Sequence, residues 1–253
     1  MPIMGYNIVG NMQQLSDTAL VLSAMKYGEH DAIVTCFTQT HGLVRGMVKA
    51  ALSKKHRAAM EAGTLVAMEA SARLEGHLFK VSLEPLTPYP ALILRDRAKI
   101  TALGSICALL SSCLAEHDPH PEIFHLTHAF FAHLVEPSSL DAWMTHYIHL
   151  ELALLEATGF GLDLTSCAAT GSAENLTYIS PKSGRAVSAE AGAPYHQKLL
   201  PFSPVLRGHS VAYEPAHVRQ GLQVTGHFLH HWLFESLGRS VPEIRQQLPA
   251  LVA

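Results

Sequence analysis

An α+β fold, with a five-stranded β-barrel ahead of a helical body, is what the sequence predicts, and three observations predict it. Short β-rich runs separated by turn signals fill the first 85 residues, prolines cluster at positions 85, 88 and 90, and apolar spacing of three and four residues takes over beyond them. The chain therefore divides into residues 1–85 and residues 86–253.

Within the first part, residues 18–26 (TALVLSAMK) and 32–38 (AIVTCFT) are apolar runs with β-branched residues, split by the hairpin turn Tyr27-Gly28-Glu29-His30. Thr40-His41-Gly42 makes a second turn. Residues 43–49 (LVRGMVK) then alternate, so that Arg45 and Lys49 fall on a shared side. Residues 51–62 read as a loop or a short helix. Residues 65–73 and 77–83 supply two more strands around Glu75-Gly76. Five short strands at this spacing suggest a small closed barrel, of which the OB-fold is the common five-stranded version.

The proline-rich stretch 85–91 (PLTPYPA) reads as a linker. A first helix over 93–114 follows, with Leu103, Ile106, Leu109, Leu110 and Cys113 on one face. Pro119 and Pro121 precede a second over 122–134. A third spans 140–158, with Ser138 or Ser139 as N-cap and Gly159 as stop. Residues 160–213 form an irregular insertion with one hairpin, 176–179 against 185–187. Pro215 opens a fourth helix to about residue 237, and Pro242 starts a short fifth.

Composition sets limits. With 253 residues, 48% of them hydrophobic and 15% charged, the chain has enough apolar material for a packed core. It has no apolar run of about 18 residues, the length a membrane span needs. The opening MPIMGYNIVG lacks the pattern of a secretory signal. Cys36, Cys107, Cys113 and Cys167 form no CxxC pair, so reduced thiols in a cytoplasmic protein are expected. The net charge of −3 conceals segregation: residues 100–181 carry nine acids and no Lys or Arg, whereas both flanks are weakly basic. A nucleic-acid contact, if there is one, belongs outside the middle of the chain.

The strongest basic cluster is Arg45, Lys49, Lys54, Lys55, His56 and Arg57, with no acid between Asp31 and Glu61. Phosphate neutralisation needs such a patch. An ordinary solvated loop fits the same residues, and the nucleic-acid reading requires the side chains to share a face without being paired off by carboxylates. Lys26 and Arg73 are weaker candidates. Aromatics for base stacking are few: Tyr6, Tyr27, and the core-like Phe37 and Phe79. Seventeen histidines include same-face groups at His125 and His128, His146 and His149, and His227, His230 and His231. They lack HExxH and any cysteine pair, and they read as satisfied or surface histidines with no metal. Cys167-Ala168-Ala169-Thr170 and Ser188-Ala189-Glu190-Ala191 keep the frame of a four-cysteine zinc ribbon with three cysteines absent. No GxSxG, P-loop, HExxH or GxGxxG motif supports catalysis, and no cofactor is expected.

Several stretches together resemble the RecO family. Residues 19–50 contain a YGE turn and a T-x-x-x-G-x-x-R step (Thr38, Gly42, Arg45). Residues 151–167 fit E-x-x-LL-x-x-x-G-x-x-x-x-L-x-x-C. YISPKSGRAVS at 178–188 is similar to the ribbon hairpin, and 218–248 to the last helix and its x-x-R-x-x-L tail. The resemblance implies an N-terminal OB-fold, a helical C-terminal domain with or without a zinc ribbon, and no covalent chemistry. It implies binding of single- and double-stranded DNA, annealing of complementary strands, and work with RecR and single-stranded-DNA-binding protein (SSB) to load RecA. On it, Arg45, Lys49, Lys54, Lys55 and Arg57 carry DNA. Arg207, Arg219, Arg239 and Arg245, with Phe228, Trp232 and Leu233 beside Arg239, extend the path or receive the acidic SSB tail. The ribbon region here folds without metal. The main alternative is an interaction scaffold whose acidic middle binds a basic partner. A metal-dependent hydrolase using the histidines is a third.

Overall fold

The computed structural model describes residues 7–9, 12–51, 53–73, 77–208 and 214–252. Its backbone contacts group the chain into two compact units, Met1–Glu136 and Pro137–Ala253.

The first unit is built on strands β1 (Asn7–Val9), β2 (Met12–Tyr27), β3 (Asp31–Thr38), β4 (Gly42–Val48), β5 (Leu65–Ala72) and β6 (Phe79–Thr87). The antiparallel pairs β2–β3, β3–β4 and β5–β6, the parallel pair β4–β6 and the antiparallel pair β2–β5 close a ring of five strands, and β1 adds to β2. Strand β2 serves two neighbours because it is 16 residues long. Its first half pairs with β5 and its second with β3, with a register shift between Val21 and Ser23. Such a bulge bends a strand and sharpens its twist, as ring closure requires. Alternation turns Val21, Val34, Cys36, Val44, Val66, Met68, Phe79 and Val81 into the interior. Between β4 and β5, the one-turn helix α1 (Lys54–Arg57) runs into a 3₁₀ turn (Ala58–Met60), and Ala51, Ala59 and Met60 join the same core.

Two sequence expectations change here. Residues 12–17 belong to β2, although their polar composition carries no strand signal. And 85–91 is not a linker: β6 continues to Thr87, and a short helix α2 (Tyr89–Leu92) follows at once. Pro85 is tolerated because it faces Val66 where the β5–β6 register shifts, and proline is admitted to sheets at bulges. The Glu75-Gly76 turn and Tyr6 lie outside the described residues.

Helices α3 (Arg97–Cys113) and α4 (Pro121–Val135) group with the strands. Asp96 caps α3 by accepting the Lys99 N–H, the role its short carboxylate suits. Outward residues Leu20, Phe37 and Leu43 are buried outside the barrel core, and Phe37 meets Phe124 of α4 edge-on at 5.7 Å. The buried Lys99 donates from Nζ to the carbonyls of Leu134 (2.7 Å) and Glu136 (2.9 Å), a cation where the C-terminal end of α4 leaves acceptors open.

The second unit holds α5 (Leu140–Ala157), a sheet of β7 (Leu176–Ile179), β8 (Ala186–Ser188) and β9 (Leu200–Pro201) in the order β8-β7-β9, the one-turn helix α6 (Ala189–Gly192), α7 (Pro215–Phe228) and α8 (Glu243–Gln246). Ser139 is the N-cap of α5, and Gly159 ends it at φ 85°. Gly221 lets α7 approach closely: a Cβ there would lie 2.5 Å from Val205 and 2.8 Å from Ile148. The two-residue β9 was unreadable in sequence. The helix expected over 215–237 keeps α-geometry to Phe228, widens into a π turn over Leu229–Phe234, and returns to α-geometry at residues 235–236 before it ends.

Candidate nucleic-acid interface

The turn joining β3 to β4 explains the T-x-x-x-G-x-x-R step residue by residue. Thr38 accepts the His41 N–H (3.0 Å) and donates to the Gly42 carbonyl (2.8 Å). Asp17 of β2 accepts from Thr40 N–H and Oγ1, both at 2.8 Å, and lies 2.9 Å from His41 Nδ1. Gly42 sits at φ 70°, and a Cβ there would meet the Asp118 backbone at 2.2 Å, so only glycine fits. The turn thus anchors β4 so that Arg45 points outward.

From Arg45 onward the outer face of β2, β3 and β4 is exposed at Met25, Tyr27 and Arg45 and partly exposed at Ile33 and Met47. The ladders align Ser23, Thr35 and Arg45 in one row and Met25, Ile33 and Met47 in the next. Tyr27 stands opposite Asp31, with Lys49 just beyond β4. Lys80 of β6 extends the Met47 row. Met25 is 69% exposed and Tyr27 54%. The face therefore joins three cations to an apolar strip with an aromatic ring at its end. That combination suits a single strand of nucleic acid, whose phosphates need charge and whose bases need surfaces to lie on.

The condition set by the sequence, that these cations stand unpaired by carboxylates, is not met at Arg45 and Lys49. Arg45 Nη1 lies 3.4 Å from Glu116 Oε1, with both side chains about half exposed, 52% and 47%. Lys49 Nζ lies 2.7 Å from Asp31 Oδ2. The Lys49 hydrogen bond, with the Ala50 N–H, holds the Asp31 carboxyl below its usual range. The acidic middle of the chain reaches this face through Glu116, whose backbone bridges to Leu43. Of the other sequence candidates, Arg57 is exposed, and the side chains of Lys54 and Lys55 lie outside what is described. Lys26 is exposed on the opposite side of β2 from Met25 and Tyr27. Arg73 is exposed where β5 ends. Sequence reasoning missed Lys80, Met25 and Met47. Period-two alternation marks their outward side, but only the register brings Lys80 next to Met47.

In the second unit the cations proposed for a partner's tail do not gather. Arg207 lies over the Phe202 ring at 4.9 Å and donates to the Leu164 carbonyl. Arg219 donates to the Val252 carbonyl at 2.7 Å. Phe228 is fully buried and offers no surface to a peptide, because α7 turns Val218, Leu222, Thr225 and Phe228 inward together. Trp232, half-buried, meets the Phe228 ring edge-on at 4.6 Å, and Arg239 is exposed.

Cys167 and Ser188, the first positions of the two ribbon pairs, do lie together, Sγ to Oγ 3.4 Å, and the Ser188 N–H donates to Sγ at 3.2 Å. The Ser188 hydroxyl, Thr170 and the Ser188 N–H bring the thiol down to about 6. With Thr170, Ser188 and Ala191 where a ribbon has sulfur, one thiolate remains, and these residues do not fit a zinc ion. Two more motif residues also meet. Glu151 and Arg245, 94 positions apart, form a buried two-bond pair at 2.6 and 3.0 Å, so Arg245, expected from the sequence to meet DNA or a partner's tail, offers no cation at the surface. The Tyr147 hydroxyl at 2.9 Å and the Thr225 hydroxyl donate to the same carboxylate. No helix among the described residues is long and apolar enough to cross a membrane.

Comparison with known proteins divides the chain near residue 90, between β6 and α3, and not at the boundary of the two compact units. The family model for recombination protein O N terminal matches residues 12–89, and that for recombination protein O C terminal matches residues 94–240. The chain is 39% identical to the DNA repair protein RecO of Caulobacter vibrioides (strain NA1000 / CB15N), over 90% of this chain and 93% of that protein. Against the protein of the same name from Rhodospirillum centenum (strain ATCC 51521 / SW) identity is 42%, over 91% of each. Against that from Cereibacter sphaeroides (strain ATCC 17029 / ATH 2.4.9) it is 40%, over 96% and 99%.

Proposed function

The chain belongs to the RecO family, and from that premise we propose that it is a DNA repair and recombination mediator. In this reading it binds single- and double-stranded DNA in the cytoplasm, anneals complementary strands, and assists RecA loading together with RecR and SSB, without making or breaking covalent bonds. Its DNA-binding part is the strand-built region that the sequence bounds at residues 1–85 and that β6 carries on to Thr87, and the helices beyond it, with the 160–213 insertion, are its helical body.

The outer face of β3 and β4 carries the proposal. The cyclic order β2–β3–β4–β6–β5 with one parallel pair is the order an OB-fold takes. OB-folds bind oligonucleotides on the face of their second and third strands and on the loops after the first and fourth. The corresponding places here hold Arg45 and Met47 on β4, Lys49 just beyond it, the Tyr27–Asp31 turn, and Arg73 where β5 ends. Arg57 extends the basic surface along the segment after β4, the segment whose sequence also carries Lys54 and Lys55. Annealing follows from electrostatics: strands that repel one another pair once their phosphates are neutralised. The β7–β8 hairpin is a metal-free remnant of a ribbon, and Trp232 with Arg239 is what is left of the SSB-tail surface.

The ion pairs of Arg45 and Lys49 favour a second reading, an interaction scaffold with incidental DNA contact. Salt separates the two: phosphate contact gives a steep log–log fall of affinity with salt, and a scaffold gives little binding at any salt. In the same titration, reversing charge at Lys54, Lys55 and Arg57 together weakens binding strongly. Unchanged affinity at low salt removes that loop from the site. Annealing of complementary oligonucleotides, stimulated by the wild-type chain and reduced by the triple variant, tests the activity itself.

A further inference from the structure

Between Leu229 and Phe234 the last long helix becomes a π turn, a defect that interrupts regular hydrogen bonding and recurs at functional sites. In an α-helix consecutive side chains diverge, and residues three or four apart meet. Across this turn, however, the sequence neighbours His230 and His231 come together, with Nδ1 atoms 3.3 Å apart. Both also approach Glu235 Oε1, at 3.4 Å and 2.8 Å. All three side chains are exposed. The His227 ring lies against that of His231, centroids 4.6 Å apart, and limits how His231 turns.

Two imidazole nitrogens and a carboxylate oxygen thus converge on one point. From the three separations of 2.8, 3.3 and 3.4 Å, each atom lies about 1.8 Å from the centre of their triangle, inside the ~2.0–2.2 Å of zinc–nitrogen and zinc–oxygen bonds. An ion about 1 Å above that plane reaches all three at normal lengths. We propose that His230, His231 and Glu235 bind one divalent transition-metal ion of the zinc class. Imidazole selects zinc, copper, nickel or iron over magnesium and calcium, which take oxygen ligands. Three protein ligands leave at least one position to water. The ion ties residues 230, 231 and 235 across the turn where the helix has lost its regular bonds. The site shares no residue with the Cys167 region and does not depend on the DNA-binding proposal.

Calorimetric titration of the full chain with zinc chloride in a non-coordinating buffer tests this, with thermal melting as a second readout. The wild type is expected to bind one zinc per chain, to melt higher with zinc, and to show neither effect with magnesium. His230→Ala/His231→Ala and, separately, Glu235→Gln weaken binding at least tenfold and abolish the shift in Tm, while Cys167→Ser retains both. Absence of zinc binding by the wild type overturns the proposal, as does binding that persists undiminished in the variants, since the ion then sits on other histidines. If the double variant does not fold by circular dichroism, the exposed Glu235→Gln decides alone.

Discussion

Removing Glu116 should strengthen DNA binding. In the free chain Arg45 is held by Glu116 at 3.4 Å, with both side chains about half in solvent (52% and 47%). A phosphate that takes Arg45 must first displace this carboxylate. An exposed pair of this kind contributes about 0.2–1 kcal/mol, and 1.4 kcal/mol is a factor of ten, so freeing the guanidinium is worth about 1.5- to 5-fold in affinity. Loss of a negative charge beside the incoming phosphate adds about 0.6 kcal/mol at ~7 Å in water, less once salt screens it. Together these come to about 0.8–1.6 kcal/mol, so Glu116→Gln, which keeps shape and removes charge, is expected to bind a short single-stranded oligonucleotide about 4- to 15-fold more tightly at low salt. Fluorescence anisotropy measures this directly. The gain should shrink to the small repulsion remainder when Arg45→Ala is also present, because the carboxylate then has no cation to withhold. Unchanged or weaker binding by Glu116→Gln, or a gain that survives intact in the Arg45→Ala background, refutes the placement of Arg45 in the interface.

Three further outcomes are expected. Arg245→Met leaves the Glu151 carboxylate buried without its partner and should lower stability in urea by about 3–5 kcal/mol, whereas pairing it with Glu151→Leu recovers most of that loss. Ala50 sits at φ 51°, a left-handed conformation that costs a residue with a Cβ about 1–2 kcal/mol, so Ala50→Gly should raise the melting temperature despite glycine's greater freedom when unfolded. Burial pushes the Cys36 and Cys107 thiols up to about 12, and Cys167 is fully enclosed. A disulfide reagent at pH 8 should therefore modify Cys113 rapidly in the native chain and all four cysteines only after denaturation.

What could be read in the sequence follows from the range of each force. Alternation along a strand and three-to-four spacing along a helix are local, so β3, β4, α3 and α5 were legible, as was the shared side of Arg45 and Lys49. The first half of β2 was not, because Gln13, Gln14, Ser16 and Asp17 are ordered by the backbone of β5, more than fifty residues on. Pro85 signalled a break by its chemistry and was overruled by a bulge. The site suffered most from distance: Lys80 joins Met47 through a parallel ladder, and Glu116 meets Arg45 across 71 positions. Phe228 looked available because helical spacing tells which residues share a face but not whether that face is covered. The resemblance motifs contained Glu151 and Arg245, yet nothing in their spacing said that they touch.

The double duty of β2 has a consequence for synthesis. A ribosome releases β2, β3 and β4 early, and they can pair at once through short turns. One flank of β2 must then wait, its N–H and C=O groups open, until residues 65–72 emerge. An unpaired flank of this kind is a template for other chains, and contacts so far apart in sequence form slowly. Ring closure is thus the step at which a nascent chain is exposed to aggregation, and a substitution that delays β5 would show itself as lost yield before it showed as lost stability.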